Sequence, residues 1–180
     1  MDDTRTRLVI SAALLFRKKG YHGTGVAEVL AAAKAPKGSL YHHFPNGKPD
    51  LAIAAADWAT EGMLRIIDDA FKDAPDFATG ATTLCHKLAK FFDLSGGWDG
   101  CPVSAVLFDG PDNKAFRQHA NDMFARWVQA MAAHGVQLGL APDEAAKRAE
   151  ALMIGLQGSW VMARARNSSD VLRNLPGLLL

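Results

Sequence analysis

Apolar residues recur at intervals of three and four along almost the whole of this 180-residue chain. The first such stripe runs through Leu8, Ala12, Leu15 and Phe16, and it predicts an α-helix that buries one face. Runs of alternating β-branched residues bounded by turns, which would indicate strands, are missing from the sequence. We therefore expect an all-α fold of about eight or nine helices, and the lack of internal repeats favours a compact bundle over a solenoid.

Three short helices are expected in the first fifty residues. The first should end in a cationic turn just before Gly20, which suits a helix C-terminus. Thr24 is suited to the N-cap of the second helix. Pro36 suits the first position of a third helix, which should end near His43. The stretch 44–49, rich in proline and glycine, predicts a turn.

Longer helices are expected after this turn. One should run from Asp50 to about residue 74 and another over 77–94, before a glycine-rich loop at 95–100. Two more are predicted over 112–140 and 142–166, with Pro142 as a start signal. The sequence thus predicts two domains, at residues 1–49 and 50–180.

Charge is divided unevenly between these parts. Residues 1–50 hold eight Lys or Arg against four Asp or Glu, whereas the rest of the chain holds twelve against fifteen. A basic head on a mildly acidic body indicates a protein that contacts phosphate with one end.

The remaining composition bounds the compartment. The 49% hydrophobic and 22% charged content is typical of a soluble globular protein. Cys85 and Cys101 are too few for a disulfide framework, and the first residues lack the pattern of a signal peptide. The longest apolar windows are interrupted by charges, so no membrane span is predicted. We expect a cytoplasmic protein.

Two short helices joined by a tight turn predict a helix-turn-helix, with its second helix in residues 36–44. Leu40 and Phe44 are four residues apart and should face the core. Gly38 would permit close approach of the backbone. The side chains left for the outer face can donate to phosphates or base edges. They are Lys37, Ser39, Tyr41, His42 and His43.

Residues 24–44, followed by Lys48 and Leu51, resemble the signature of the TetR family of transcriptional regulators. Residues 35–48 and 100–103 resemble its LmrA/YxaF-type subgroup. The resemblance implies an all-α protein with an N-terminal helix-turn-helix domain and a C-terminal helical-bundle domain for effector binding and dimerisation. It also implies a homodimeric repressor that binds double-stranded DNA at a palindromic operator and is released by a small apolar or aromatic effector. The DNA-facing residues that it implies are Thr24, Lys37, Gly38, Ser39, Tyr41, His42 and Lys48.

One position departs from the family pattern. Lys34 stands in the turn where glycine is usual. A lysine at positive φ costs about 1 kcal/mol, so either the turn geometry differs or the charge near DNA offsets the strain.

Some of these residues also allow other interpretations. Tyr41 and Phe44 taken singly could be ordinary core aromatics. Neighbouring histidines such as His42 and His43 point about 100° apart on a helix and lack further ligands, so no metal or other cofactor is expected. No catalytic motif such as G-x-S-x-G or a P-loop is present, which argues against an enzyme. A structural helical adaptor would leave the basic head unexplained.

The body after residue 50 is rich in large, soft side chains, most of which must form the core. By the family resemblance some would line an effector pocket: Phe92, Trp98, Phe108, Phe124, Trp127, Met131 and Trp160. The last two long helices are the expected dimer contact, through Phe124, Val128, Met131, Leu152, Leu156 and Trp160. Gly155 and Gly158 would allow helices to approach closely.

Overall fold

The computed structural model describes residues 3–97, 99–101, 103–108 and 114–179. Every regular element within these ranges is an α-helix, as the sequence predicted. The helices are α1 (Thr4–Lys19), α2 (Val26–Ala32), α3 (Ser39–His43), α4 (Lys48–Phe71), α5 (Phe77–Leu94), α6 (Ser104–Leu107), α7 (Lys114–Gln137), α8 (Pro142–Arg166), α9 (Asp170–Asn174) and α10 (Pro176–Leu179).

Helix α1 shows why the sequence sets its ends. Asp3 is its N-cap and accepts a hydrogen bond from the Thr6 N–H at 2.7 Å, which lowers the pKa of the Asp3 carboxyl. Gly20 ends the helix at φ 71° and donates its N–H to the Phe16 carbonyl oxygen at 2.8 Å. The predicted glycine stop is confirmed, since positive φ is a conformation that glycine adopts without a Cβ penalty.

The starts of the next helices differ from the prediction. Gly25, not Thr24, is the N-cap of α2, and it supplies no side-chain cap. Regular helix in α3 begins at Ser39, because residues 36–38 form a turn that closes with a hydrogen bond from the Ser39 N–H to the Pro36 carbonyl oxygen at 3.0 Å. Helix α4 begins at Lys48 rather than Asp50, directly after Gly47 at φ 74°.

The described chain forms two compact units. The first comprises Met1–Glu61 and Gly100–Met123. Its core is formed by fully buried apolar side chains, and α1 contacts α2, α3 and α6. The largest of these side chains are Phe16, Leu8, Leu40, Leu51, Leu107 and Met123. The predicted boundary at residue 50 falls inside α4, whereas the first unit continues to Glu61.

The second unit comprises Gly62–Asp99 and Phe124–Leu180. Its core holds Trp127 and Phe71, and α9 packs against both α5 and α8. A Cβ on Gly155 would lie 2.9 Å from Leu175 Cδ1, so this glycine permits a close approach of the C-terminal segment to α8 within the chain. No helix within the described ranges is long and apolar enough to cross a membrane.

Ion pairs join surface positions of the second unit. Lys87 Nζ lies 2.5 Å from Asp69 Oδ2, and Lys72 lies 2.9 Å from Asp69 Oδ1. These two ammonium groups lower the pKa of Asp69 to about 2. Because all three side chains are well exposed, the pairs contribute little to stability.

Candidate nucleic-acid interface

Helix α2 ends in a left-handed backbone conformation that glycine usually adopts, but the residue at this position is Lys34. Lys34 adopts φ 51°, its N–H donates to the Ala31 carbonyl oxygen at 3.1 Å, and the Ala35 N–H donates to the Leu30 carbonyl oxygen at 2.9 Å. These two hydrogen bonds define a Schellman motif with Lys34 in the left-handed position. Of the two alternatives that the sequence left open, the structure has the strained one, at a cost of about 1 kcal/mol.

The short helix α3 is held by two apolar side chains and exposes the others. Leu40 and Phe44 are buried, as predicted from their spacing. Tyr41 is 65% exposed, and Lys37, Gly38 and His42 are also exposed. The outer face of α3 and the turn before it therefore present an ammonium group, a phenol and an imidazole, all of which can donate hydrogen bonds to DNA.

Ser39 is half-buried at the start of this face. Its hydroxyl donates to the Pro36 carbonyl oxygen at 2.6 Å. The Ser39 oxygen keeps its acceptor capacity, so it can contact a base amino group more readily than a phosphate.

The turn after α3 positions Tyr41. A Cβ on Gly47 would lie 3.0 Å from Tyr41 Cε1, and Gly47 has φ 74°. Glycine is needed here for the backbone conformation and for the space that the Tyr41 ring occupies. Sequence reasoning identified residues 44–49 as a turn and missed this second role of Gly47.

Lys48 lies at the first position of α4 and is half-buried. Its Nζ lies 4.3 Å from the centroid of the Tyr21 ring, a cation–π contact. The contact holds the ammonium group beside the start of α4.

Thr24 needs a correction. Its side chain is 1% exposed, and its hydroxyl donates to the Gly20 carbonyl oxygen at 2.9 Å. The threonine therefore closes the turn between α1 and α2, and its side chain is not on the outer surface that DNA could contact.

Two further residues support the motif without having been predicted. Arg7 Nε donates to the Ala33 carbonyl oxygen at 3.0 Å, which ties α1 to the end of α2. Lys19 Nζ lies 2.5 Å from Glu28 Oε1, a second link between these helices. The sequence carries no local signal for the Arg7 contact, because the partner is a backbone oxygen 26 residues away.

The two histidines of α3 contact each other. The His42 and His43 rings are 4.8 Å apart in an edge contact. Among the residues that the structure describes, no group of three His, Cys, Asp or Glu side chains could hold a metal ion.

The predicted effector-site residues have several different environments. Phe92 contacts Trp160 edge-on with ring centroids 5.8 Å apart, and Phe124 contacts Trp127 at 5.4 Å. The other predicted members divide as follows: Met131 is buried, Phe108 is 55% exposed and belongs to the first unit, and Trp98 lies outside the described residues.

The Trp160 indole also has a polar partner. Its Nε1–H donates to the Asp99 carbonyl oxygen at 2.9 Å. A buried indole N–H needs such a partner, and this one ties α8 to the end of the loop after α5.

The predicted dimer residues of α8 also need a correction. Leu152, Leu156 and Trp160 are buried within the chain. A different apolar stripe of the same helix is exposed: Ile154 and Val161, each 65% exposed, with Met162. Gly158 lies on this stripe, and a Cβ there would meet nothing within 4 Å.

Comparison with known proteins gives matches over most of the chain. Residues 78–176 match the model for the C-terminal domain of LmrA/YxaF-like transcriptional regulators, and residues 9–55 match that for bacterial regulatory proteins of the tetR family. The chain is 32% identical to the HTH-type transcriptional regulator Rv0196 of Mycobacterium tuberculosis strain H37Rv, over 100% of this chain and 96% of that protein.

Two solved structures share the fold. Regulatory protein TetR from Rhodobacter sphaeroides superposes with a TM-score of 0.82 at 26% identity, over 97% of this chain and 95% of that one. The TetR-family regulator CifR, solved with 26 bp double-strand operator DNA, gives a TM-score of 0.80 at 23% identity, over 98% of this chain and 95% of that one.

Proposed function

The chain belongs to the TetR family of DNA-binding transcriptional regulators, and from this premise we propose that it is a homodimeric repressor. In this proposal it binds a palindromic operator in the cytoplasm through α3 and is released by a small apolar or aromatic effector. The observation that carries the proposal is the outer surface of α3 and of the turn before it, where Lys37, Tyr41 and His42 are exposed while Leu40 and Phe44 are buried.

The DNA-facing residues of α3 and of the segments beside it have separate roles in this proposal. Lys37 and Lys48 neutralise phosphates, and Tyr41 donates to a phosphate oxygen from its seat against Gly47. Ser39 and His42 face base edges, and Gly38 lets the backbone approach the duplex. Base contacts would then come from a small part of the surface, as expected for a short recognition helix.

The experiment uses Lys37→Ala and Tyr41→Ala, with Lys90→Ala as a matched control on an exposed site of α5. Operator affinity is measured on selected genomic fragments at several salt concentrations. Both α3 variants should weaken binding about tenfold, and Lys37→Ala should reduce the salt slope by about one unit. Wild-type affinity in both, or an equal loss in Lys90→Ala, would contradict the assignment of α3.

A homodimer is supported by the exposed stripe of α8. Ile154, Gly158 and Val161 recur at intervals of four and three, so they lie on one face. Large apolar side chains exposed together on a long helix favour self-association, and a twofold dimer matches a palindromic operator. The two copies of α3 in the dimer must then lie about 35 Å apart to meet successive major grooves.

Because Leu156 is buried within the chain, the dimer is tested with variants of the exposed stripe. Leu156→Lys would disrupt the core of the chain itself. Ile154→Glu and Gly158→Glu place a charge on the exposed stripe, and Leu94→Glu, at a 78% exposed leucine of α5, is the matched control. Sedimentation should show monomers for the two α8 variants and wild-type dimers for the control. Unchanged dimers in both α8 variants would place the interface elsewhere.

Effector response is supported by the ring pairs of the second unit. An apolar ligand could pack against these rings or take the place of one of them. The pairs are Phe92 with Trp160 and Phe124 with Trp127. A compound that binds the DNA-free form about a hundredfold more tightly should lower operator affinity by the same factor. Tryptophan emission and operator binding are measured on the same samples. Saturable emission changes without loss of operator affinity would overturn this part of the proposal.

A further inference from the structure

A groove with a volume of about 240 Å³ lies between α1 and α4 in the first unit. Its walls combine an indole, two carboxylates, a guanidinium group and small apolar surfaces. None of its residues belongs to the sets assigned above to DNA, effector or dimer contacts. The lining residues are Arg5, Thr6 and Val9 from α1, and Ala54, Asp57, Trp58 and Glu61 from α4.

The α4 wall places its side chains at helical spacing on one face. Trp58 is 38% exposed although it is the largest side chain of the wall. Val9 is buried and Ala54 half-buried, and together they form an apolar floor. An exposed indole beside an apolar floor is a surface on which a flat or short apolar group can pack, and its ring face attracts cations.

The charges of the groove walls favour a cationic ligand over an anionic one. Asp57 is half exposed and Glu61 exposed, and both line the groove. The Arg5 guanidinium lies 5.4 Å from the centroid of the Phe44 ring. With one positive charge from Arg5 and two negative charges from Asp57 and Glu61, the lining has a net charge of −1. The neighbouring residues 1–50 are basic. A phosphate is repelled from such a groove, and an ammonium group is attracted.

We propose that this groove binds a small organic cation, a protonated or methylated amine that carries an aromatic or short apolar group. The ammonium group lies near the Asp57 and Glu61 carboxylates and the face of Trp58, and the apolar group packs on Val9 and Ala54. The volume is below that of drug-sized ligand pockets, so the ligand is small and its affinity weak, in the millimolar range. This site is separate from the effector site proposed above.

The groove is joined to the rest of its unit through Asp57. Asp57 Oδ1 lies 3.0 Å from His119 Nε2, which connects α4 to α7. A cation that takes up Asp57 competes with this contact. Helix α4, which forms one wall of the groove, begins at Lys48, five residues after the end of α3.

The probe for this site is 2-phenylethylammonium chloride, with neutral 2-phenylethanol as its matched control. Binding to the full chain is followed by the indole N–H signals in NMR spectra, and Trp58→Phe identifies the Trp58 signal. The cation should shift the Trp58 signal saturably, and the alcohol should bind at least about threefold more weakly.

Glu61→Gln and Asp57→Asn should each weaken the cation about threefold, while Asp73→Asn, which removes an exposed carboxylate outside the groove, should not. Equal binding of the cation and the alcohol would overturn the proposal, as would wild-type affinity in both groove variants. Shifts confined to the Trp127 or Trp160 signals would also overturn it, and would instead support the proposed effector site.

Discussion

Helices α3 and α8 expose opposite kinds of side chain. The five-residue α3 buries Leu40 and exposes polar groups around Tyr41, whereas the 25-residue α8 buries one apolar stripe and exposes a second around Ile154. A helix as short as α3 has no independent stability, so its neighbours hold it and its outer face is left for contacts with DNA. The exposed stripe of α8 around Ile154 is apolar, so it is suited to a protein partner.

The strongest test of this comparison is Leu152→Ala, in the buried stripe of α8, against Tyr41→Ala. Leu152 is fully buried in the second unit, so its truncation should cost about 2–5 kcal/mol of unfolding free energy. Tyr41 is mostly exposed, so its loss should cost below about 0.5 kcal/mol. Guanidinium chloride titration measures both. Similar costs would show that α3 is held by its outer face as well as its inner one.

Two glycines in the long helices differ in the space beside them, which is filled at Gly80 and open at Gly62. A Cβ on Gly80 would lie 2.3 Å from Phe71 Cδ1, so Gly80→Ala should destabilise by about 1–3 kcal/mol. Gly62 has only a flexible Arg65 nitrogen at 3.9 Å, so Gly62→Ala should stabilise by about 0.5–1 kcal/mol. Thermal unfolding compares the two, and a loss in both would contradict this reading of the packing.

Cys85 gives the stability of the second unit a dependence on pH. Burial raises the pKa of the Cys85 thiol to about 12, above its usual 9.0. The neutral thiol therefore contributes stability that is fully present below about pH 9 and is lost as pH rises toward about 12. The stability advantage of wild type over Cys85→Ala should shrink by about 1 kcal/mol between about pH 8 and about pH 10. A constant difference in urea titrations would contradict the burial effect.

A further effect on stability is expected at the turn before α3. Lys34→Gly should raise the unfolding free energy by about 1 kcal/mol, because it removes a Cβ from a left-handed backbone position. Lys34→Ala is the control, since it removes the charge and keeps the strain. Equal stability of the two variants would show that φ at this position carries no cost.

The sequence predicted the helices well because their signals are local. Gly20 as a stop, Pro142 as a start and the spacing of Leu40 and Phe44 all act within one or two turns of helix. Thr24 was misplaced because a threonine before a helix has two possible partners. The backbone here directs its hydroxyl back to Gly20 instead of forward to the next turn.

The dimer face could not be chosen from periodicity alone. Helix α8 has two apolar stripes, and periodicity does not say which one packs inside the chain. Leu152, Leu156 and Trp160 were expected at the dimer contact, but they are buried within the chain, where Trp160 contacts Phe92 of α5. The groove residues Asp57 and Trp58 gave no motif, because their neighbours on α1 are about fifty positions away.

The seat of the Tyr41 ring against Gly47 has a consequence for mutational scanning. Any side chain at position 47 must displace the ring and also adopt a positive φ. A library scored for operator binding would therefore give Gly47 the profile of a residue that reads DNA, with nearly every substitution depleted. The same library scored for folded protein would deplete position 47 less severely, and the gap between the two scores would report a Tyr41 ring that has moved.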